Sequence, residues 1–112
     1  MEQTSAKRQY PRKKFTKPVA FLSQGVSQVA QGIEIGEGGV SFQTDFLLNE
    51  NHPVVVNFFI PNGGFFTLRG DVRSSVKDSQ GKIIYGLSFI EVSLSLKRQI
   101  RAYVARMSLS SS

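Results

Sequence analysis

Residues 54–60 read Val-Val-Val-Asn-Phe-Phe-Ile, and Asn62-Gly63-Gly64 follow almost at once. This density of β-branched and aromatic residues is typical of a well-buried strand. The Asn-Gly-Gly sequence favours a tight turn, so the chain is predicted to reverse there and to return as a second strand.

The returning segment alternates in character from residue 66 to residue 76. Its even-numbered residues, from Phe66 to Val76, are predicted to share one face of a long strand, because side chains of a strand alternate between its two faces. The opposite face is predicted to carry Arg69, Asp71 and Arg73.

Similar short segments lie on both sides of this hairpin. Strands are predicted over residues 19–22, 26–35 and 40–44 before it, and over residues 83–92 after it. Glycine-rich turns, among them Gly36-Glu37-Gly38-Gly39, separate them. Six short strands joined by such turns predict a mostly β domain, either a small barrel or a sandwich.

The chain is predicted to end in a helix that Ser93 or Ser95 caps and that runs to about Met107. Its apolar side chains recur at helical spacing and form one stripe. The stripe consists of Leu96, Ile100, Tyr103, Val104 and Met107. We expect this helix to cover an open side or end of the β domain. A helix lying on a membrane is the alternative, which the short stripe disfavours.

Positive charge is concentrated at the N-terminus. Residues 1–17 hold six basic side chains and one acidic one, whereas the remaining 95 residues are close to neutral. We interpret residues 1–17 as a flexible basic arm, residues 18–107 as the β domain with its helix, and residues 108–112 as a disordered serine-rich tail. The arm is either a binding element for phosphates, nucleic acids or acidic lipids, or a solvated tail.

The residue types needed for catalysis are sparse. The chain has no cysteine, and its single histidine, His52, lies in a polar loop segment without an obvious partner. Its carboxylates are scattered and show no metal-ligand spacing, and no phosphate-binding P-loop motif occurs. We therefore expect a binding protein and not an enzyme, with no metal or cofactor.

Two further features bear on location. The basic N-terminus lacks the apolar core of a secretory signal, and no apolar run is long enough to span a bilayer. Together with the absence of cysteine, they predict a soluble, cytoplasmic protein.

One motif stands out in the arm, Arg8-Gln9-Tyr10-Pro11-Arg12. Two guanidinium groups four residues apart can hold a phosphate or a guanine edge, because the planar fork of arginine makes bidentate hydrogen bonds. By itself this RxxxR spacing arises often by chance in a basic segment.

Three elements together resemble the PilZ domain family. They are RxxxR before the first strand, a Glu34-to-Gly39 segment similar to the family's D/N-x-S-x-x-G motif, and Tyr85-Gly86-Leu87-Ser88-Phe89 before the helix. The resemblance covers roughly residues 7–107. It implies a six-stranded antiparallel β-barrel with a C-terminal helix. It also implies that the domain binds the bacterial second messenger cyclic di-GMP, and that Arg8 and Arg12 contact the phosphates and guanines of this ligand.

The second motif departs from the family pattern at two positions. Glu34 stands where the family has Asp or Asn, and Gly36 stands where the family has Ser. In the family, the side chains at these two positions form hydrogen bonds with the guanine. Lys7 precedes the first arginine. In the family, a basic residue at that position accompanies binding of a stacked ligand dimer, so the resemblance implies a dimer here. The candidate ligand-binding residues are Lys7, Arg8, Arg12, Glu34, Gly36 and Gly39.

The sequence thus predicts a signalling receptor or adaptor that converts cyclic di-GMP binding into altered contacts with a protein partner. The alternative is a PilZ-like domain that no longer binds the ligand and serves as a protein-interaction module. A single-stranded nucleic-acid binder is disfavoured, because most aromatic residues occupy alternating core positions and the basic charge is confined to the arm.

Overall fold

The computed structural model describes residues 12–61 and 63–110. They form seven strands and one helix. These are β1 Arg12–Lys14, β2 Pro18–Ser23, β3 Val26–Gly36, β4 Gly39–Thr44, β5 Val54–Ile60, β6 Gly64–Lys77, β7 Ile83–Ile90 and α1 Leu94–Ser110.

Six of the strands close into an antiparallel barrel. Following hydrogen-bonded neighbours, the order is β3-β2-β5-β6-β7-β4, and β4 then pairs back onto β3. Closure removes the free edges that an open sheet would expose. The predicted six-stranded antiparallel barrel with a C-terminal helix is confirmed.

The barrel interior is filled by the inward half of each strand. In β5 the burial alternates as predicted for a strand with one core face, so Val54, Val56, Phe58 and Ile60 are buried. Aromatic rings from other strands meet inside the barrel, with the Phe21 and Phe42 rings stacked 5.4 Å apart.

The strand β1 lies within the segment predicted to be a flexible arm. Arg12–Lys14 pair with the end of β3, and the Phe15 amide donates to the Ile33 carbonyl at 2.8 Å. The Phe15 side chain is fully buried and meets Phe58 edge-on at 5.7 Å and Tyr103 at 6.0 Å. Residues 12–17 are thus built into the barrel, because a buried aromatic side chain anchors a segment that its charges alone would leave in solvent.

The strand β6 does not keep its predicted alternation. Its pairing with β7 shifts register between Val72 and Ser74, which marks a β-bulge. One extra residue moves every later side chain to the other face. Val76, which we placed on the same face as the buried Leu68, is therefore 61% exposed.

The helix α1 packs its apolar stripe against the barrel beside β1 and β3. Leu96, Ile100, Tyr103 and Val104 are buried as predicted. Ser93 is the cap, since its Oγ accepts from the Leu96 amide at 3.1 Å. The helix reaches Ser110, three residues beyond the predicted end.

Several large apolar side chains are exposed on the outer surface of four neighbouring strands. Leu22, Val29, Phe59 and Phe65 project from β2, β3, β5 and β6 and are 44%, 70%, 49% and 69% exposed. Phe59 and Phe65 are direct cross-strand partners. We call these four residues the apolar face. The segments that form it, residues 18–23, 26–33, 54–60 and 64–70, contain no carboxylate.

Candidate functional site

The tight turn between β3 and β4 sets the register of the candidate site. Gly36 pairs with Gly39, so only Glu37 and Gly38 lie in the loop. Pairing continues sideways in both directions, with Arg12 opposite Gly36 and Ser88 opposite Gly39. Directly paired residues of an antiparallel ladder point to the same side, so these residues form one row across four strands.

A second row lies two residues further along each strand. Lys14 is opposite Glu34, Glu34 is opposite Ser41, and Ser41 is opposite Gly86. The residues between the two rows, Ile35 and Val40, are buried in the core. By the alternation of a strand, both rows therefore face outwards.

The centre of these rows carries very little side-chain volume. We call this surface the small-residue face and define it as Gly36, Gly39, Ser41, Gly86 and Ser88. Basic side chains of β1 and the carboxylate of Glu34 border it on one side. In the ring of six strands, β4 lies across from β5 and β7 lies across from β2. The central strands of the small-residue face and of the apolar face are therefore on opposite sides of the barrel, while β3 contributes one residue to each face.

Only glycine fits at position 39, for steric reasons. A Cβ atom at this position would lie 2.0 Å from the Leu87 carbonyl oxygen, a backbone atom of β7. Real Cβ contacts do not come so close, hence β4 and β7 approach each other here only because residue 39 has no side chain.

The loop of the β3–β4 turn is tied to the helix. Glu37 Oε2 accepts from Arg101 Nε and Glu37 Oε1 from Arg101 Nη2, each at 2.9 Å. The Glu37 side chain is only 7% exposed, whereas that of Arg101 is 58% exposed. The hydrogen bonds from Arg101 hold the pKa of Glu37 below its usual range, against the opposing effect of burial, and the charge of Lys97 adds to the lowering. The carboxylate of this loop is thus ionised and neutralised by α1.

A cleft of about 330 Å³ adjoins the small-residue face. It is lined by residues of the β3–β4 loop, of the end of β7 and of the start of α1, among them Gly38, Ser88 and Lys97. Because Ser88 belongs to both, the cleft extends the small-residue face towards the helix.

The structure brings together four of the six predicted site residues. Arg12, Gly36 and Gly39 share the first row, and Glu34 lies in the second. Lys7 and Arg8 lie outside the described residues.

Two residues of this surface were missed by the sequence analysis. Ser41 and Ser88 carry the hydroxyl groups of the small-residue face, and Ser88 was noted only as part of a strand pattern. The signal for Ser41 was present in the sequence. If Gly36-Glu37-Gly38-Gly39 is taken as a two-residue hairpin, the pairing of Glu34 with Ser41 follows by counting.

The described residues were also compared with the requirements of a catalytic histidine, a metal site and a membrane-spanning helix. His52 is exposed in the loop before β5, and its amide donates to the Asn49 carbonyl at 3.3 Å. Within residues 12–61 and 63–110, no three His, Asp or Glu side chains cluster closely enough to hold a metal ion. No helix in this part of the chain is both long and apolar enough to cross a membrane.

Comparison with known families identifies one match. The family model described as "PilZ domain" matches residues 6–106, which is most of the chain. No curated protein sequence matches.

Solved structures share the fold at low sequence identity. The inhibitor of motility MotI/DgrA of Bacillus subtilis aligns with a TM-score of 0.82 and 17% identity over 92% of this chain and 52% of its own. The MrkH–c-di-GMP complex of K. pneumonia gives 0.75 and 15% over 93% and 53%. The PilZ domain of YcgR from Escherichia coli with c-di-GMP gives 0.69 and 16% over 93% of each chain. This chain thus spans about half the length of MotI and MrkH.

Proposed function

This chain belongs to the PilZ domain family, and we propose that it is a receptor for cyclic di-GMP that converts ligand binding into altered contacts with a protein partner. The proposed role is binding and not catalysis. Structures of MrkH and of the YcgR PilZ domain, which share its fold, hold c-di-GMP. The proposal includes a cytoplasmic location, which the absence of cysteine favours.

One observation carries the proposal. Residues from two motifs that are more than twenty positions apart in sequence, Arg12 of RxxxR and Gly36 and Gly39 of the second motif, are neighbours in a single row across β1, β3 and β4. The paired positions beside them hold glycine or serine and so carry no bulky side chain, and in the proposed complex a planar base lies over these positions.

The chemistry of the bordering residues suits a guanine nucleotide with phosphates. In the proposed complex Arg12, together with Arg8 four residues before it, makes bidentate hydrogen bonds to phosphate oxygens or to the N7 and O6 acceptors of guanine. Glu34 accepts from the guanine N1–H and N2–H groups. Each hydrogen bond to a charged group contributes about 1.5–3 kcal/mol, so the two arginines and Glu34 each contribute substantially to the affinity.

The adaptor role rests on the ion pair between Glu37 and Arg101. Glu37 lies between Gly36 and Gly39, inside the motif that borders the proposed ligand, and Arg101 lies on α1. A ligand that displaces this loop therefore also changes the hydrogen bonds between Glu37 and Arg101, and with them the contacts that the helix makes. We propose that this link carries the signal to a protein partner.

Calorimetric titration with cyclic di-GMP tests the proposal, with GTP as the control nucleotide. We expect saturable binding at micromolar or tighter affinity that GTP does not reproduce. A stoichiometry of two ligands per chain is expected if Lys7 accompanies a stacked dimer. No heat at high micromolar cyclic di-GMP would rule the receptor function out.

A second candidate function is a protein-interaction module that does not bind the ligand. The apolar face favours it, since four exposed apolar side chains on one sheet surface are typical of contact sites. The departures at Glu34 and Gly36 point the same way. The same calorimetric titration separates the two functions.

A further inference from the structure

The second motif of this chain lacks one hydroxyl group. Gly36 occupies the position at which the family pattern has serine, and the neighbouring carboxylate is supplied by Glu34 in place of a shorter residue. We propose that Ser41 supplies the missing hydroxyl and that Glu34 and Ser41 together select guanine over adenine. This inference rests on the proposed cyclic di-GMP function.

The pairing of β3 with β4 puts the two side chains next to each other. Glu34 and Ser41 are direct cross-strand partners, and the Cβ atoms of such partners are about 4.5–5.5 Å apart. A residue two positions away on the same strand, such as Gly36, lies about 6.6 Å from Glu34. The hydroxyl of Ser41 is thus at least as close to the carboxylate as a serine at position 36 would be.

The surroundings of Ser41 leave its hydroxyl accessible to a ligand. Its cross-strand neighbour on β7 is Gly86, and its outward neighbours on β4 are Gly39 and Gln43. The Gln43 amide is engaged with Asp78, to whose Oδ2 it donates at 3.0 Å, while Gly39 and Gly86 have no side chain. Ser41 is itself half-buried.

The two groups match the hydrogen-bonding edge of guanine. That edge presents two donors, N1–H and N2–H₂, beside one acceptor, O6. The two oxygens of Glu34 accept from the donors, and the Ser41 hydroxyl donates to O6. Adenine presents an acceptor at N1 and a donor at N6, so its N1 lone pair would face a carboxylate oxygen. The pair therefore discriminates by leaving a polar group of the wrong base unsatisfied.

The departures at positions 34 and 36 also compensate each other geometrically. The extra methylene of Glu34 carries its carboxylate further from the backbone than an aspartate would. The hydroxyl, in turn, moves from β3 to the neighbouring strand β4. Both polar groups thus remain side by side on the small-residue face.

The test measures cyclic di-GMP and cyclic di-AMP binding calorimetrically to the unmodified chain and to three variants. Ser41→Ala is expected to weaken cyclic di-GMP binding by about 2- to 10-fold, the effect of one neutral hydrogen bond, and to leave the weak binding of cyclic di-AMP unchanged. Ser41→Thr, which keeps a hydroxyl, is expected to retain cyclic di-GMP affinity within about 2-fold. Ser27→Ala is the matched control, because Ser27 lies on the outer surface of β3 opposite Leu22 and away from the small-residue face.

Three results would overturn the inference. Normal cyclic di-GMP binding by Ser41→Ala would remove the role of Ser41 while leaving the receptor function intact. Equal weakening by Ser41→Ala and Ser41→Thr would show that the hydroxyl is not the relevant group. Absence of cyclic di-GMP binding by the unmodified chain would overturn both this inference and the proposed function.

Discussion

The small-residue face and the apolar face are built from the same strand geometry but carry different kinds of side chain. On the small-residue face, paired positions hold Gly or Ser and are bordered by Arg12 and Glu34. On the apolar face, Phe59 and Phe65 stand directly opposite each other and are largely exposed. The difference shows that the residues that fill the core do not determine which residues lie on the outer surface of a barrel. Alternate side chains of each strand pack into the common core, and the side chains between them are free to differ.

The contrast also predicts different sensitivities to mutation. A position without side-chain volume tolerates no addition where backbones approach closely, whereas an exposed aromatic residue tolerates truncation. Variants on the two faces should therefore separate losses of stability from losses of ligand affinity.

The largest effect is expected for Gly39→Ala. The added Cβ atom would overlap the Leu87 carbonyl oxygen, at 2.0 Å, so β4 and β7 must separate. We expect the free energy of unfolding, measured by urea denaturation, to fall by about 2–4 kcal/mol. Gly81→Ala is the control, because Gly81 has a φ of +86° but no atom within 4 Å of the added Cβ. It should lose only about 1 kcal/mol, and an equal loss in both variants would show that close approach is not what requires Gly39.

Gly39 also illustrates which features of the fold can be predicted from the sequence and which cannot. The strand-forming residues of β5, the turn signals and the helical spacing of Leu96 and Ile100 were sufficient to predict six strands and the helix. They left the choice between a barrel and a sandwich open, and the barrel followed from the resemblance to the PilZ family. Local patterns specify the strands and the helix because burial follows the period of each element. The approach of β4 to β7 is a tertiary contact, and no local pattern around Gly39 reports it.

The errors have equally specific causes. The strand β1 was missed because the Arg-Lys-Lys sequence resembles a solvated arm, while the burial of Phe15 depends on Phe58 and Tyr103 far along the chain. The bulge after Val72 was missed because alternation was assumed to continue. In the site, the motifs identified Arg12, Glu34, Gly36 and Gly39, whereas Ser41 required the register.

The next largest effect is expected on ligand affinity, and it is tested by comparing substitutions of two exposed arginines, Arg12 and Arg69. We expect Arg12→Ala to weaken cyclic di-GMP binding by about 10- to 100-fold, as expected for a lost hydrogen bond to a charged group. Because Arg12 is exposed, its free energy of unfolding should change by less than about 0.5 kcal/mol. Arg69→Ala removes an exposed arginine near the apolar face and should bind normally in the same calorimetric titration. Similar losses in both variants would indicate a nonspecific effect of charge.

A smaller effect is expected from the ion pair at the edge of the small-residue face. Glu37→Gln should lower the free energy of unfolding by about 1 kcal/mol at neutral pH. The amide has a single acceptor oxygen, so only one of the two hydrogen bonds from Arg101 can remain, and its acceptor is no longer charged. Since the pKa of Glu37 is lowered in the folded state, this stabilisation is fully present above the unfolded-state pKa of about 4.3. It is lost as the pH falls through the lowered folded-state pKa.

Urea denaturation as a function of pH measures this effect. The difference in stability between the unmodified chain and Glu37→Gln should be constant above about pH 5 and shrink towards acidic pH. Glu50→Gln, at an exposed loop position, serves as the control and should follow the unmodified chain. A difference that stays constant down to low pH would contradict an ionised Glu37 stabilised by Arg101.

The smallest effect is expected on the apolar face and provides the sharpest test of its independence. Phe65→Ser removes one member of the exposed pair with Phe59, and such cross-strand pairs contribute about 0.2–1 kcal/mol. The free energy of unfolding should fall by an amount within that range. The affinity for cyclic di-GMP should change by less than about 2-fold, because Phe65 lies on β6, which carries no residue of the small-residue face. Val76→Ser, at an exposed apolar position further along the same strand, is the control for loss of apolar surface. If Phe65→Ser weakened ligand binding while Val76→Ser did not, the two faces would be coupled through the barrel, and the division of the surface into a ligand side and an independent apolar side would be wrong.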